Sequence, residues 1–418
     1  MTNQNTVPTT DYLALLTKHR RALHQIPELD RHLPKTKQYL LSVLEQLDCQ
    51  LTFLCDSGIC AFFDRGREET RAFRSDMDAL PVQENTGCDF TSGHDGKMHA
   101  CGHDAHMAMV LTLAQYVDAQ KDLKCNVLLI FQPAEETLGG AEEICKSGIL
   151  GQYNVTRIFG IHMWPFLEAG QLSTRPGAFM PRSAEVNIDF YGKAAHGTAP
   201  YEGKDALYIA ADYLQRIYKK HAEMAGAIPR FPEGMGDIPR APESAPDEKT
   251  LIHIGKMESG YARNIVSDYT HLLGTVRAYT DADFQKIIGL MKDTLAQVGT
   301  EYQCETNFHN SPGYPPVYND PKLYQEILPI LESLPTERPQ TFAVSGEEPI
   351  PQAETWKPYE EMELPLVISE DYSFFGLYVP SVFFVLGTGT GIPLHSTNFN
   401  FDETVLLSGF NLYTALLA

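Results

Sequence analysis

The sequence predicts an α/β protein: a doubly wound, mostly parallel sheet that carries the reactive residues, with a smaller α+β domain of ferredoxin-like arrangement inserted into it. Three observations carry that expectation. Continuous apolar runs such as Asn126-Val-Leu-Leu-Ile-Phe-Gln132 are the mark of strands buried on both faces. These runs alternate with helical patterns, which implies parallel strands covered by helices. From about Pro181 the pattern changes to strict alternation, as in Ala184-Glu-Val-Asn-Ile-Asp-Phe190, the signature of a half-buried strand. A chain of 418 residues exceeds one ordinary core, so two domains are expected. Their boundaries fall at 1–180 plus 299–418 for the larger domain and 181–298 for the insert.

Taken in order, Leu13, Leu16, Leu23 and Ile26 place a helix over 11–26 that Pro27 stops. A second helix covers 35–47. Residues 59–63 and 71–77 read as strands, the second closing on Asp76-Met-Asp-Ala-Leu-Pro81. Met98-His-Ala-Cys-Gly-His-Asp-Ala-His106 follows, with three imidazoles, a thiol and a carboxylate, and opens a helix to about Gln120. The strand 126–132 ends at Pro133-Ala-Glu-Glu136, with Gly139-Gly140 and another helix behind it. Residues 157–162 form a short apolar strand that ends on an imidazole.

The insert reads as strand 184–190, helix 205–218, strands 251–257 and 270–279, and helix 281–298, a ferredoxin-like core. Within it, 225–248 holds five prolines and reads as a mobile loop. The larger domain resumes with strands at 366–369 and 381–386. Gly387-Thr-Gly-Thr-Gly391 then serves as a turn that brings His395 toward the site. No internal repeat is present.

The formal net charge of −21 disfavours nucleic acid or anionic membrane as partners, because either demands a basic face. No uninterrupted apolar run approaches the ~20 residues that span a bilayer. The polar start Met1-Thr-Asn-Gln-Asn-Thr-Val-Pro8 lacks the apolar core of a signal peptide. Eight cysteines without framework spacing suggest free thiols in a reducing cytoplasm.

In open α/β sheets ligands gather at the carboxyl ends of the strands, where Asp78, Glu135, Glu136 and His162 fall. Cys101, His103, Glu136, His162 and His395 form a mixed S/N/O donor set. Four donors suffice for one ion, so five with a spare carboxylate suggest two. Imidazole and thiolate favour zinc, manganese, cobalt or nickel over magnesium or calcium. Glu135 beside Glu136 lets one carboxylate ligate while the other takes a proton from water; the bland alternative is a solvated helix start. Asp78 and Asp104 read as groups that orient ligand imidazoles, and His99 and His106 as ordinary satisfied histidines.

The motifs Arg74-Ser-Asp-Met-Asp-Ala-Leu-Pro81, His99-Ala-Cys-Gly-His-Asp-Ala-His106, Gln132-Pro-Ala-Glu-Glu136, Gly160-Ile-His-Met-Trp-Pro165 and Gly192-Lys-Ala-Ala-His-Gly-Thr-Ala-Pro200 resemble the M20 metallopeptidase family. More narrowly, they resemble its amidohydrolase branch of aminoacylases, hippurate hydrolases, auxin-conjugate hydrolases and N-acetyldiaminopimelate deacetylases. Cys101 carries the narrower likeness, because other branches commonly place a bridging carboxylate there. The resemblance spans His19-Arg-Arg-Ala-Leu-His-Gln-Ile-Pro27 to Pro393-Leu-His-Ser396. It implies Cys101, His103, Glu136, His162 and His395 as ligands of two metal ions, and Glu135 as the base that activates water. It also implies that His196 reaches the partner subunit's active site of a homodimer joined through the insert, and that Asn264 and Arg277 bind substrate. The substrate class implied is a small N-acyl amino acid. A dipeptidase or carboxypeptidase of the same superfamily is the nearer alternative, and a non-catalytic metal-binding relative the farther one. The chain departs from the family pattern in Ile265-Val-Ser-Asp268 and in the length of 225–248 and 335–363, which bear on substrate choice.

Overall fold

Four parallel strands form the centre of the larger unit, in the spatial order Asn126–Gln132, Thr70–Asp76, Val155–Trp164 and Ser381–Gly387. The computed structural model describes residues 11–137, 139–225, 250–338 and 356–418. The polar start, the proline-rich stretch beyond 225 and residues 339–355 of the long 335–363 segment lie outside the described residues. The larger unit draws on 1–177, 318–363 and 371–418, the smaller on 178–317 and 364–370.

Register sets Gln132 opposite Asp76, Arg74 opposite Gly160, and Val385 opposite His162, so the strands deliver polar groups to one end of the sheet. The sheet continues through Gly58–Phe63 and Gln50–Leu54 on one side, and through Leu172–Thr174 and Tyr359–Glu361 on the other. The runs at 126–132 and 381–387 are buried at every residue, as their unbroken apolarity requires.

The helix His103–Ala119 is buried at every position from His103 through Ala114. A helix apolar all round belongs inside a core, and this one packs against Tyr12–His24, Leu406–Ala415 and the central strands. Its interior seat fixes where its first residue, His103, must lie.

Two elements differ from the sequence expectation. The strand expected at 366–369 does not form. Val367 is 71% exposed, and the Leu366 backbone is satisfied without a ladder: its N–H donates to the Phe179 carbonyl and its carbonyl accepts the Tyr279 hydroxyl. Gln50–Leu54 is a strand that the sequence did not signal. It pairs in register with Gly58–Phe63 as a hairpin, turning through Cys55 and Asp56 at positive φ.

The smaller unit is an antiparallel sheet in the order Glu305–Asn310, Arg182–Tyr191, Tyr269–Ala278, Thr250–Ser259. Ala206–Ala225 and Asp281–Glu301 connect its strands, which completes the ferredoxin-like βαββαβ order. Ala184, Val186, Ile188 and Phe190 face its core, as the alternation requires. The last strand, Glu305–Asn310, lies beyond residue 298, where the sequence placed the boundary. A polar strand with every second residue exposed gives no apolar run to mark it.

The strand ends are tied by one buried guanidinium. Arg74 donates from Nε to Gln132 Oε1, from Nη1 to Asp76 Oδ2 and from Nη2 to Asp371 Oδ1, each at 2.8 Å. Asp371 also accepts from Gln132 Nε2 and the Ala141 N–H. Arg74→Ala leaves two buried carboxylates without their cation and is expected to cost about 3–5 kcal/mol of stability. Urea unfolding measures this, and a loss under about 1 kcal/mol would overturn the role.

Candidate metal centre

Three of the four donor-bearing segments enter the site through a backbone conformation that side chains rarely adopt; His162 comes from the regular strand Val155–Trp164. Gly102, which precedes the helix His103–Ala119, has φ +87°, and a Cβ there would lie 2.9 Å from Met163 Cγ. Ala134, before Glu135, has φ +61°, and His395 has φ +65°. The two non-glycine positions cost about 1–3 kcal/mol each and persist where surrounding structure over-determines them. His395 is held by its N–H, which donates to the Ala100 carbonyl at 2.8 Å.

Asp78 positions three groups at once. Its carboxylate accepts the backbone N–H of Glu135 at 3.0 Å and of Glu136 at 3.1 Å, and its carbonyl accepts His103 Nδ1 at 2.7 Å. Asp78 thus touches the His103 imidazole through its main chain, while its side chain holds the two glutamate N–H groups.

The five donors named from sequence lie in one cluster. Cys101 Sγ is 3.4 Å from His162 Nε2, and Glu136 Oε1 is 3.8 Å from His103 Nε2 and 3.5 Å from His395 Nε2. Donor atoms of Cys101, Glu136 and His395 lie within 4.8 Å of one another, as do those of His103, Glu135 and Glu136. His103 Nδ1 and His162 Nδ1 (2.8 Å from the Met163 carbonyl) each face an oxygen that can only accept. Both therefore carry a proton on Nδ1 and turn Nε2 toward the cluster.

The electrostatics call for a cation. His103 Nε2 and Glu136 Oε1 are buried without a hydrogen-bond partner, an arrangement costing about 1–3 kcal/mol per group unless something answers it. Burial, reinforced by Glu136, Glu135 and Asp76, pushes the Cys101 thiol well above its ordinary value. Burial opposes a charge on His103, but Asp76, the bond to Asp78 and Glu136 outweigh it and raise the imidazole to about 10. Burial, aided by His106, drops His162 to about 3. A dication held among these groups would take the place of the His103 proton and ionise the thiol. Imidazole, thiolate and carboxylate suit a first-row transition ion.

Asp104 takes a different set of partners from a ligand imidazole. It accepts His24 Nδ1 at 2.8 Å and Arg20 Nε at 3.3 Å. Arg20 also donates to the Phe401 carbonyl and Asn400 Oδ1. Asp104 thus ties the start of the central helix to Tyr12–His24. His106 is satisfied on both nitrogens, but His99 is not: it is 1% exposed and neither ring nitrogen has a hydrogen-bond partner. Burial drops His99 to about 3, so it is accommodated as a neutral ring. Asp76, which sequence reasoning passed over, pairs with Arg74 and His106. Its signal was present in Asp76-Met-Asp78, two carboxylates at one strand end.

In the smaller unit, His196 and Asn264 sit on adjoining segments, bridged at His196 and Ile265, with the Gly197 N–H donating to the Asn264 carbonyl at 2.7 Å. The Thr198 N–H (3.3 Å) donates to His196 Nδ1 and the Thr198 hydroxyl lies 2.8 Å from it, which leaves the ring proton on Nε2. Arg277 is half-buried; its Nη1 donates to Thr275 Oγ1, and it has no carboxylate partner among the described residues.

His24 provides a pH test. Burial opposes its charge, but bonds to Asp104 and Glu84 outweigh burial and raise it to about 9. Free imidazole titrates near 6.5, so the charge contributes roughly 3 kcal/mol at most, in full below pH 6.5 and lost as pH rises through 9. His24→Gln should flatten the alkaline fall in Tm of metal-free protein; an unchanged profile over that window would refute the assignment.

A family model described as Peptidase family M20/M25/M40 matches residues 72–418. The chain is 32% identical to the N-acetyldiaminopimelate deacetylase of Leuconostoc mesenteroides subsp. mesenteroides over 95% of its own length and 94% of the relative's. It is 31% identical to an uncharacterized hydrolase of Staphylococcus epidermidis, covering 97% and 98%. Among solved structures it is similar to a protein of methicillin resistant Staphylococcus aureus classed there as an aminohydrolase, with TM-score 0.81, 27% identity and 97% of each chain covered. It shares its fold with the Bacillus subtilis YXEP protein, a dinuclear metal binding peptidase from the M20 family, at TM-score 0.76 and 24% identity over 97% of each chain.

Proposed function

The chain belongs to peptidase family M20/M25/M40, and from that premise we propose that it is a two-metal amidohydrolase cleaving the acyl group from an N-acyl amino acid or similar small amine. One observation carries this reading: Glu135, whose N–H rests on Asp78, stands beside the donor cluster of Cys101, His103, Glu136, His162 and His395. Those five residues would hold the two ions, from among manganese, zinc, cobalt or nickel. When bound, such ions supply Lewis acidity at the substrate carbonyl and lower the pKa of water.

The remaining steps belong to the chain's own groups. Glu135 takes the proton of the attacking water and returns it to the leaving nitrogen, so the products are a carboxylate and a free amine. His196, with its proton on Nε2, is a donor suited to the carbonyl oxygen as that oxygen gains charge, a contact worth ~3 kcal/mol. The Arg277 fork receives the substrate carboxylate, and its lack of a protein carboxylate supports that role. Asn264 hydrogen-bonds the substrate amide. His196 serves the partner subunit's site in a homodimer formed through the smaller unit. The relatives named N-acetyldiaminopimelate deacetylase favour an acetyl group on an amino acid. The location proposed is the cytoplasm; no helix among the described residues is long and apolar enough to cross a membrane.

Glu135→Gln should lower kcat by about 10²–10⁴-fold with metal content unchanged. Retention of most of the turnover would remove Glu135 as the base. Arg277→Met should raise KM about tenfold or more for substrates with a free carboxylate, since a lost charge-assisted bond is worth ~1.5–3 kcal/mol, and leave their carboxamides unaffected. A panel of acetyl-, benzoyl- and aminoacyl-amino acids decides between acyl hydrolysis and dipeptidase activity; preference for the aminoacyl members would overturn the acyl reading.

A further inference from the structure

Asp76, His103, His106 and His162 each bring a donor atom within 4.8 Å of the others, and all four are buried. Distance alone would admit a further ion here, but hydrogen bonding decides against it. The Met163 N–H donates to His106 Nε2 at 2.9 Å, so the His106 proton is on Nδ1, where it is given to Asp76 Oδ1 at 2.6 Å. Asp76 Oδ2 is taken by Arg74. Both nitrogens of His106 and both oxygens of Asp76 are therefore committed to protein partners.

The Met163 main chain is held on both sides of its Cα. Its N–H, in the peptide from His162, is fixed by His106, and its carbonyl, in the peptide to Trp164, receives His162 Nδ1 at 2.8 Å. The His106 ring lies edge-on to His162, 4.7 Å between centroids, and 5.4 Å from His103. A continuous series of contacts thus runs from Asp76 through His106 and Met163 to the His162 imidazole.

We propose that Asp76 and His106 are a positioning pair that fixes the main chain at Met163, beside His162, and thereby turns His162 Nε2 toward its ion, without either residue ligating metal. This rests on the reading of His162 as a ligand. A His106 side chain that lost its tie to the Met163 N–H would loosen the main chain on both sides of the Met163 Cα, and with it the carbonyl that seats the His162 ring. Partners of this kind typically alter metal affinity 10–100-fold.

The test is cobalt(II) titration of the metal-free full-length chain against a chromogenic chelator, with the cobalt–thiolate absorption of Cys101 as a second readout. Asparagine overlays Nδ1, keeping the donor to Asp76 and losing the acceptor for Met163; glutamine overlays Nε2 and does the reverse. His106→Asn is expected to weaken one of the two cobalt dissociation constants 10–100-fold, to leave the other within about twofold, and to displace the thiolate band. His106→Gln should fall between His106→Asn and the native chain. Circular dichroism of the metal-free variants reports the fold. If both variants bind cobalt with native constants while His162→Ala loses an ion, the positioning pair is overturned. If His162→Ala itself leaves both constants unchanged, the ligand reading fails instead.

Discussion

Asp78 accepts the N–H groups of Glu135 and Glu136 on its two carboxylate oxygens and takes His103 Nδ1 on its carbonyl. Two backbone amides and an imidazole, from the loop after a neighbouring strand and from a helix start, thus take their places from one residue. The parallel sheet makes this possible, because strands 70–76 and 126–132 end side by side with Asp76 opposite Gln132. Beneath that level Arg74 binds the same two strand ends to Asp371. The strained backbone at Ala134 and His395 is held separately, by N–H bonds to the Asp30 and Ala100 carbonyls.

The charge of the site follows from the same arrangement. Desolvated carboxylates and a thiol crowd a single raised imidazole, His103, while His162 is kept neutral. A divalent ion there would give the unpartnered His103 Nε2 and Glu136 Oε1 the partner that burial otherwise denies them.

Much of the fold was legible in the residues. The helix His103–Ala119 and the strands 126–132 and 381–387 declared themselves because apolar runs have no other stable place than a core. The donor set was legible because strand ends are where such sheets place polar groups. Gln50–Leu54 escaped notice because only its pairing with Gly58–Phe63 makes it a strand. Leu366-Val-Ile misled in the opposite sense: three apolar residues imitate a strand, yet the Leu366 backbone is satisfied by a carbonyl and a hydroxyl from distant segments. Asp104 was rightly singled out as a group worth explaining, but its partners, Arg20 and His24, lie about 80 residues earlier in the chain.

The sequence by itself determined which chemical groups are available and which elements carry them, since periodicity and strand termini are local properties. Tertiary structure alone decided which atom of each group faces the cluster. His103 and His162 present Nε2 because carbonyls of Asp78 and Met163 occupy Nδ1. His106 presents no free nitrogen because Asp76 and Met163 occupy both. His99, in the same motif and equally buried, has no partner at all. These histidines are indistinguishable as letters. A ring nitrogen's role is set by the hydrogen bond its opposite nitrogen makes, and that partner is supplied by a segment the local pattern does not contain.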